Sequence, residues 1–233
     1  MAALLFDLDG TLTHTDPVHF RAWQELLRDH GLEIDEHFYQ TRISGRLNPV
    51  IMQDLFPHYD EATSTAFADR KEVYFRELVE TLQPMAGLHD VLGWLSDRAL
   101  KTAVVTNAPR ENAEFMLRGL GLQETFGLVV LAAEMPQGKP HPAPYRHALA
   151  QLGEEPAGAI AFEDSPSGIR SAVGAEIFTV GIASTHDPDH LYEVGAHLVV
   201  QDFTDPRLAE VLERLYQDKA LTLPSRETAI ARS

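Results

Sequence analysis

Short apolar runs of β character alternate with helix-periodic stretches along most of this chain, and that alternation leaves few folds open. The runs fall at residues 3–8, 102–106, 128–131, 159–162, 177–180 and 198–200. After the first, helix-like stretches separate them at 88–97, 111–120, 144–152, 167–173 and 189–194, and another follows at 206–216. Strands that alternate with helices are joined by crossovers, so they run parallel with helices on both faces. The expected fold is therefore α/β, a doubly wound parallel sheet, whose ligands sit beyond the carboxyl ends of the strands. At 233 residues the chain can bury such a core and carry a smaller insert.

The insert is visible as a break in the alternation. Residues 16–83 show helical periodicity and no strand: Phe20, Trp23, Leu26 and Leu27 follow the spacing of an amphipathic helix, and Phe67, Tyr74, Phe75 and Leu78 repeat it. Asp16-Pro17 and Pro84-Met85-Ala86-Gly87 flank the stretch as turns. A helical cap at 16–83 is expected to interrupt a core formed by 1–15 and 84–218, with two connections that make a hinge. Residues 219–233 have weak periodicity and read as a disordered tail.

The formal net charge is −16, so nucleic acid and anionic membranes are poor partners, and a phosphorylated ligand needs local cations. There is no cysteine, which removes thiolate chemistry and disulfides. The N-terminus lacks a basic region followed by a long apolar stretch, and no run is long enough to span a membrane. A cytoplasmic monomer is the expectation.

The first apolar run ends in Asp7-Leu8-Asp9-Gly10-Thr11. Residues i and i+2 share a face of a strand, so this pair presents two carboxylates together. Close like charges repel unless a cation lies between them or one is protonated. The segment asks for a hard metal ion, an acid–base role or both, although Asp-Gly-Thr alone also suits an ordinary turn. Three more clusters follow later strands: Thr106-Asn107, Gly138-Lys139-Pro140, and Glu163-Asp164 before Ser165-Pro166-Ser167-Gly168. Singly, Thr106-Asn107 or Glu163-Asp164 can be helix caps, and Lys139 a solvated loop lysine. A doubly wound sheet gathers all of them into one crevice. His186 and His190 could share a helix face, but Asp187-Pro188 between them reads as a helix start.

In order and spacing, Asp7-Leu8-Asp9-Gly10-Thr11, Thr106-Asn107, Lys139 and Glu163-Asp164 resemble the four motifs of the haloacid dehalogenase superfamily. Phe162–Ile169 and His19-Phe20-Arg21-Ala22-Trp23 resemble its β-phosphoglucomutase and sugar-phosphatase branch. The resemblance implies Asp7 as nucleophile and Asp9 as general acid and base. It implies Mg²⁺ held by Asp7, the Asp9 carbonyl and Asp164, with Glu163 close by. Thr106, Asn107 and Lys139 would hold the phosphoryl group. The inserted helices would be a cap that closes over the site, with His19, Arg21, Trp23, Arg46, Asn48 and Lys71 as candidates to face substrate. Of these, Trp23 also suits the bundle core and Lys71 a solvated surface.

The implied activity is a Mg²⁺-dependent phosphatase acting on a small phosphorylated metabolite through an aspartyl-phosphate. The alternatives are a phosphosugar mutase and a non-catalytic phospholigand-binding protein. The chain departs from the branch at His14, which stands where an aspartate is common. It departs again after Gly45, where Arg46 is adjacent and Asn48 occupies the third place, which the mutases fill with arginine. Glu134-Met135-Pro136-Gln137 has no reading from sequence.

Overall fold

The computed structural model describes residues 2–218, 220 and 221. Six parallel strands form one sheet in the order β3-β2-β1-β4-β5-β6. They are β1 (Ala3–Phe6), β2 (Lys101–Thr106), β3 (Leu128–Leu131), β4 (Ala159–Glu163), β5 (Phe178–Ile182) and β6 (Leu198–Val200). β1 lies between β2 and β4, with Phe6 in register with both Val104 and Phe162. Every residue of β1 is buried, as expected for a central strand of a parallel sheet covered on both faces. Winding proceeds one way from β1 to β3 and the other way from β4 to β6. The switch point therefore falls between β1 and β4.

Ten α-helices occur among the described residues. α5 (Leu88–Asp97), α6 (Arg110–Gly119), α7 (Ala143–Leu152), α8 (Pro166–Gly174), α9 (Pro188–Glu193) and α10 (Pro206–Asp218) belong to the sheet unit. One apolar cluster, containing Leu4, Phe6, Val104, Met116 and Phe162, fills one face of the sheet. A second, containing Leu5, Val105, Tyr145 and Ala161, fills the other. Asp187 caps α9, its side chain accepting from the Asp189 N–H, so the helix starts after His186, as the Asp-Pro pair predicts. Among the described residues no helix is long and apolar enough to cross a membrane.

Four helices lie between β1 and α5: α1 (Asp16–Arg28), α2 (Glu36–Arg42), α3 (Asn48–Leu55) and α4 (Glu61–Leu78). They pack around their own cluster of Trp23, Leu27, Ile51, Met52 and Phe67. The two connections to the sheet unit run side by side. Thr13 bridges Pro84, and the Met85 N–H donates to the Leu12 carbonyl at 2.8 Å.

Three details differ from the sequence expectations. The strand expected at 3–8 stops at Phe6, because the chain turns at Gly10 (φ 71°), whose N–H donates to the Thr13 carbonyl at 2.8 Å. α2 and α3 are short helices that the periodicity does not separate. Of the tail expected at 219–233, the described Leu221 is buried and its N–H donates to the Ala157 carbonyl at 2.7 Å. Residue 219 and residues 222–233 lie outside the described residues.

Candidate active site

Asp7 is the first residue past β1, and its N–H still donates to the Phe162 carbonyl at 2.9 Å. Thr106 ends β2 and Glu163 ends β4, so three adjacent strand ends place these residues side by side. Lys139 reaches in from the segment between β3 and α7. Its ammonium donates to Asp7 Oδ1 at 2.6 Å and to Glu163 Oε1 at 2.5 Å. It is only 4 % exposed, so the solvated-loop reading does not hold. The Asn107 side chain pins the backbone of this lysine, accepting from its N–H at 3.1 Å. Thr106 Oγ1 accepts from the Ala108 N–H, whereas the N-cap of α6 is Pro109, so Thr106 is not a helix cap. Nor are Glu163 and Asp164: Ser165 caps α8 by accepting from the Gly168 N–H at 3.1 Å.

The carboxylates of Asp7, Glu163 and Asp164 have oxygens within 4.8 Å of one another, all buried. Their surroundings press them together. A Cβ on Gly10 would lie 2.1 Å from Asp164 Oδ2, and one on Gly168 would lie 1.7 Å from Glu163 Oε2. The backbone at both sites approaches as only glycine allows. Burial, against the pull of Lys139, pushes the Asp7 carboxyl well up, and burial with the nearby Asp16 and Asp7 does the same to Asp164. Lys139 itself is held above its ordinary value, because Asp7 and Glu163 outweigh its burial. Three buried acids facing one lysine are short of positive charge. Glu163 Oε2 is moreover buried without a hydrogen-bond partner among the described residues. A hard divalent cation with oxygen ligands, such as Mg²⁺, fits both observations.

The Asp9 side chain stands outside this group. Its Oδ1 accepts from the Thr15 hydroxyl at 2.6 Å and pairs with His19 Nε2 at 2.9 Å. Burial pushes the Asp9 carboxyl up, but His19 and Thr15 more than offset it, leaving the group below the usual range. Thr15 precedes α1 as its N-cap yet makes no side-chain cap bond, since its hydroxyl is committed to Asp9.

Above these groups the helical insert walls a cavity that Asp7, Asp9, Thr106 and Lys139 floor. His19, Trp23, Arg46, Asn48 and Lys71 line it. Trp23 is also bundle core, at 1 % exposure. Lys71 is buried rather than solvated, bonded to His19 Nδ1 at 2.8 Å and to both oxygens of Glu72 at 3.1 Å. Arg21 is the candidate that the structure removes. It lies two residues from His19 and Trp23, hence on the opposite side of α1, where its side chain is 62 % exposed and pairs with Glu25. His14 is exposed and does not line the cavity. Glu134 forms a two-pronged bridge to Arg110 at 2.9 and 2.7 Å, which accounts for one residue of the unread segment before Lys139.

Sequence reasoning missed several polar residues. Tyr145 on α7 donates to Glu163 Oε1 at 2.5 Å from within the apolar core. Asp16 accepts from Tyr39, Ser44 and Thr185. Glu72 and Asn112 lie in the cavity wall. Only Glu72, an acid on the apolar side of a helix beside Lys71, carries a signal in the sequence, as a buried charge needs partners.

A parallel sheet with paired aspartates past its first strand, a buried lysine and an acidic pair past its fourth defines an α/β protein with a site for a metal ion and an anionic group. The haloacid dehalogenase-like hydrolase family signature matches residues 1–176, and the chain belongs to that family. The chain is 34 % identical over 210 residues to validoxylamine A 7'-phosphate phosphatase of Streptomyces hygroscopicus subsp. limoneus, covering 87 % of this chain and 94 % of that one. It is 31 % identical over 189 residues to fructose-1-phosphate phosphatase YqaB of Escherichia coli, covering 78 % and 96 %. Among solved structures it resembles β-phosphoglucomutase from Clostridium difficile, with a TM-score of 0.81 and 25 % identity over 94 % of this chain and 98 % of that one.

Proposed function

We propose that the protein is a Mg²⁺-dependent phosphatase that hydrolyses a small phosphomonoester, such as a sugar phosphate, and works as a cytoplasmic monomer. The observation that carries this reading is Asp7 at the floor of a covered cavity, 2.6 Å from the Lys139 ammonium, with a second aspartate facing the same space. The phosphatase relatives support the substrate class.

In the first half-reaction an Asp7 oxygen attacks phosphorus, the ester P–O bond breaks, and the departing alkoxide takes a proton from Asp9, which has to be protonated before this step because Thr15 and His19 favour its ionised form. In the second, water attacks the same phosphorus and Asp9 takes its proton. The acyl phosphate P–O bond then breaks, restoring the Asp7 carboxylate and freeing inorganic phosphate. Asp9 suits this role because Thr15 and His19, not Lys139, hold it, which keeps it apart from the nucleophile. Lys139, with Thr106 and the Asn107 N–H, would carry the charge on the phosphoryl oxygens. Asp7, the Asp9 carbonyl, Asp164 and Glu163 would hold Mg²⁺, which when bound supplies electrostatic stabilisation of those same oxygens. The insert would act as the cap, excluding water when seated on the core.

The test is release of inorganic phosphate from a panel of phosphorylated metabolites with Mg²⁺. Asp7→Asn should reduce it by about a thousandfold or more, as for loss of a nucleophile. Removing Mg²⁺ with a chelator should abolish it reversibly. A mutase would instead yield isomerised sugar phosphate in excess of free phosphate, and a binding protein would retain ligand without turnover; either result overturns the reading.

A further inference from the structure

The cavity wall built by the insert carries a buried acid that the reaction above does not use. Glu72, on α4, is 6 % exposed and lines the cavity. Its Oε1 accepts from Asn48 Nδ2 at 2.6 Å and from Lys71, and its Oε2 accepts from Asn112 Nδ2 at 2.6 Å and again from Lys71. Two donors on each oxygen hold it ionised. Burial alone would raise its carboxyl, and the Lys71 ammonium and the His19 ring bring it below the usual range.

The positive charges of this wall are correspondingly committed. Lys71 is shared between Glu72 and His19. Arg46 is tied to the Arg42 carbonyl and, at 3.0 Å, to the half-exposed Asp54. A phosphate placed here would meet a fixed carboxylate and would have to draw an ammonium away from it, an unfavourable like-charge contact in a desolvated wall. The groups with capacity to spare are carboxamides. Among the described residues Asn48 uses one of its two N–H donors and leaves its oxygen free, and Asn112 uses one donor and one lone pair of its oxygen, which accepts from Arg76. A group that both donates and accepts matches a hydroxyl, not a dianion.

Resting on the phosphatase reading, we infer that Glu72 makes this wall select hydroxyl-bearing, uncharged carriers and reject a second phosphate, so that the substrate is a polyol or sugar monophosphate and not a bisphosphate. Glu72 is a specificity-determining residue: it sets what the wall can bind and takes no part in phosphoryl transfer.

The experiment compares fructose monophosphate with fructose bisphosphate as substrates in the presence of Mg²⁺, for the wild type and Glu72→Gln. The wild type should favour the monophosphate in kcat/KM by at least about tenfold, the size expected of one unfavourable charge contact. In Glu72→Gln the freed Lys71 should lower KM for the bisphosphate while KM for the monophosphate rises, so the ratio shifts toward the bisphosphate by about tenfold or more. A merely structural role would weaken both substrates in parallel, and that result overturns the inference. So does a wild type that accepts the bisphosphate as readily as the monophosphate. Calorimetric binding of both esters to Asp7→Asn reads the same preference without turnover. It keeps the inference testable if Glu72→Gln does not fold. It also separates the two claims, because a wild type that releases phosphate from no ester of the panel sinks the phosphatase reading, while equal binding to Asp7→Asn sinks this one.

Discussion

At the scale of single residues, the site depends on donors that hold acids in place without touching a ligand. Tyr145 is the sharpest case. Its hydroxyl is buried among Leu5, Val105 and Ala161 on one face of the sheet and has one acceptor, Glu163 Oε1. Burial, with the charge of Glu163, pushes its phenol far above the ordinary value, so it stays a donor throughout any working pH. Glu163 therefore keeps one oxygen fixed by Tyr145 and Lys139, and the other buried with no hydrogen-bond partner among the described residues. Tyr145→Phe removes the bond and keeps the ring packing. We expect the apparent affinity for Mg²⁺ to fall by about tenfold, the usual cost of losing a group that orients a metal ligand. A calorimetric Mg²⁺ titration that matches the wild type would show that Tyr145 does not orient Glu163. Thr15 makes the related point from the other side: a residue placed to cap α1 spends its hydroxyl on Asp9 instead.

At the scale of elements, α8 shows how a helix start is built around an acid. Ser165 caps it, Pro166 occupies its first turn, and Gly168 lets its backbone close onto Glu163. Ser165→Ala should cost about 1 kcal/mol of unfolding free energy, the ordinary value of a cap. Gly168→Ala drives a methyl into Glu163 and should cost about 3 kcal/mol, the upper range for overpacking. Denaturant unfolding of both variants tests this, and equal losses would mean that the close approach is relieved at little cost. These elements were legible because strand, Pro and Gly signals coincide in Phe162–Ile169. The six strands were legible as well, since a parallel sheet needs continuous apolar runs and few other segments of the chain supply them. α2 was not, because Glu36–Arg42 is mostly polar and buries only Tyr39, leaving no apolar stripe to read. The core motifs of the site sit at strand ends, where position alone brings them together. Glu72 meets Asn48 across 24 residues of sequence, Lys71 meets His19 across 52 and Asp16 meets Thr185 across 169, and no local pattern encodes such pairings.

At the scale of the whole molecule, the helical insert meets the sheet unit through apolar packing of Ala22 and Phe75 and through polar contacts at the cavity rim. Asp16, at the start of α1, joins them. Its Oδ1 accepts from Tyr39 of the insert at 2.6 Å and its Oδ2 from Thr185 past β5 at 2.8 Å. Gln40 adds a bond to the Thr185 carbonyl at 3.2 Å. Asp16 is 8 % exposed, so removing one donor leaves a buried carboxylate oxygen short of a partner, at about 1–3 kcal/mol. That cost is avoided by lifting the insert, since water then reaches Asp16, whereas the sheet and its two apolar faces gain nothing by opening. Thr185→Val keeps the shape of the side chain and loses the bond. It should therefore loosen the insert selectively. We expect amide hydrogen exchange in α2 to speed up by about tenfold, the equivalent of 1.4 kcal/mol of local opening, while exchange in β1 and β4 stays as in the wild type. Equal acceleration in both regions would mean that the contact stabilises the fold globally, and no acceleration in α2 would mean that Asp16 does not hold the insert down. KM for the phosphorylated substrate should rise in the same variant, because a site that is less often covered captures its ligand less often.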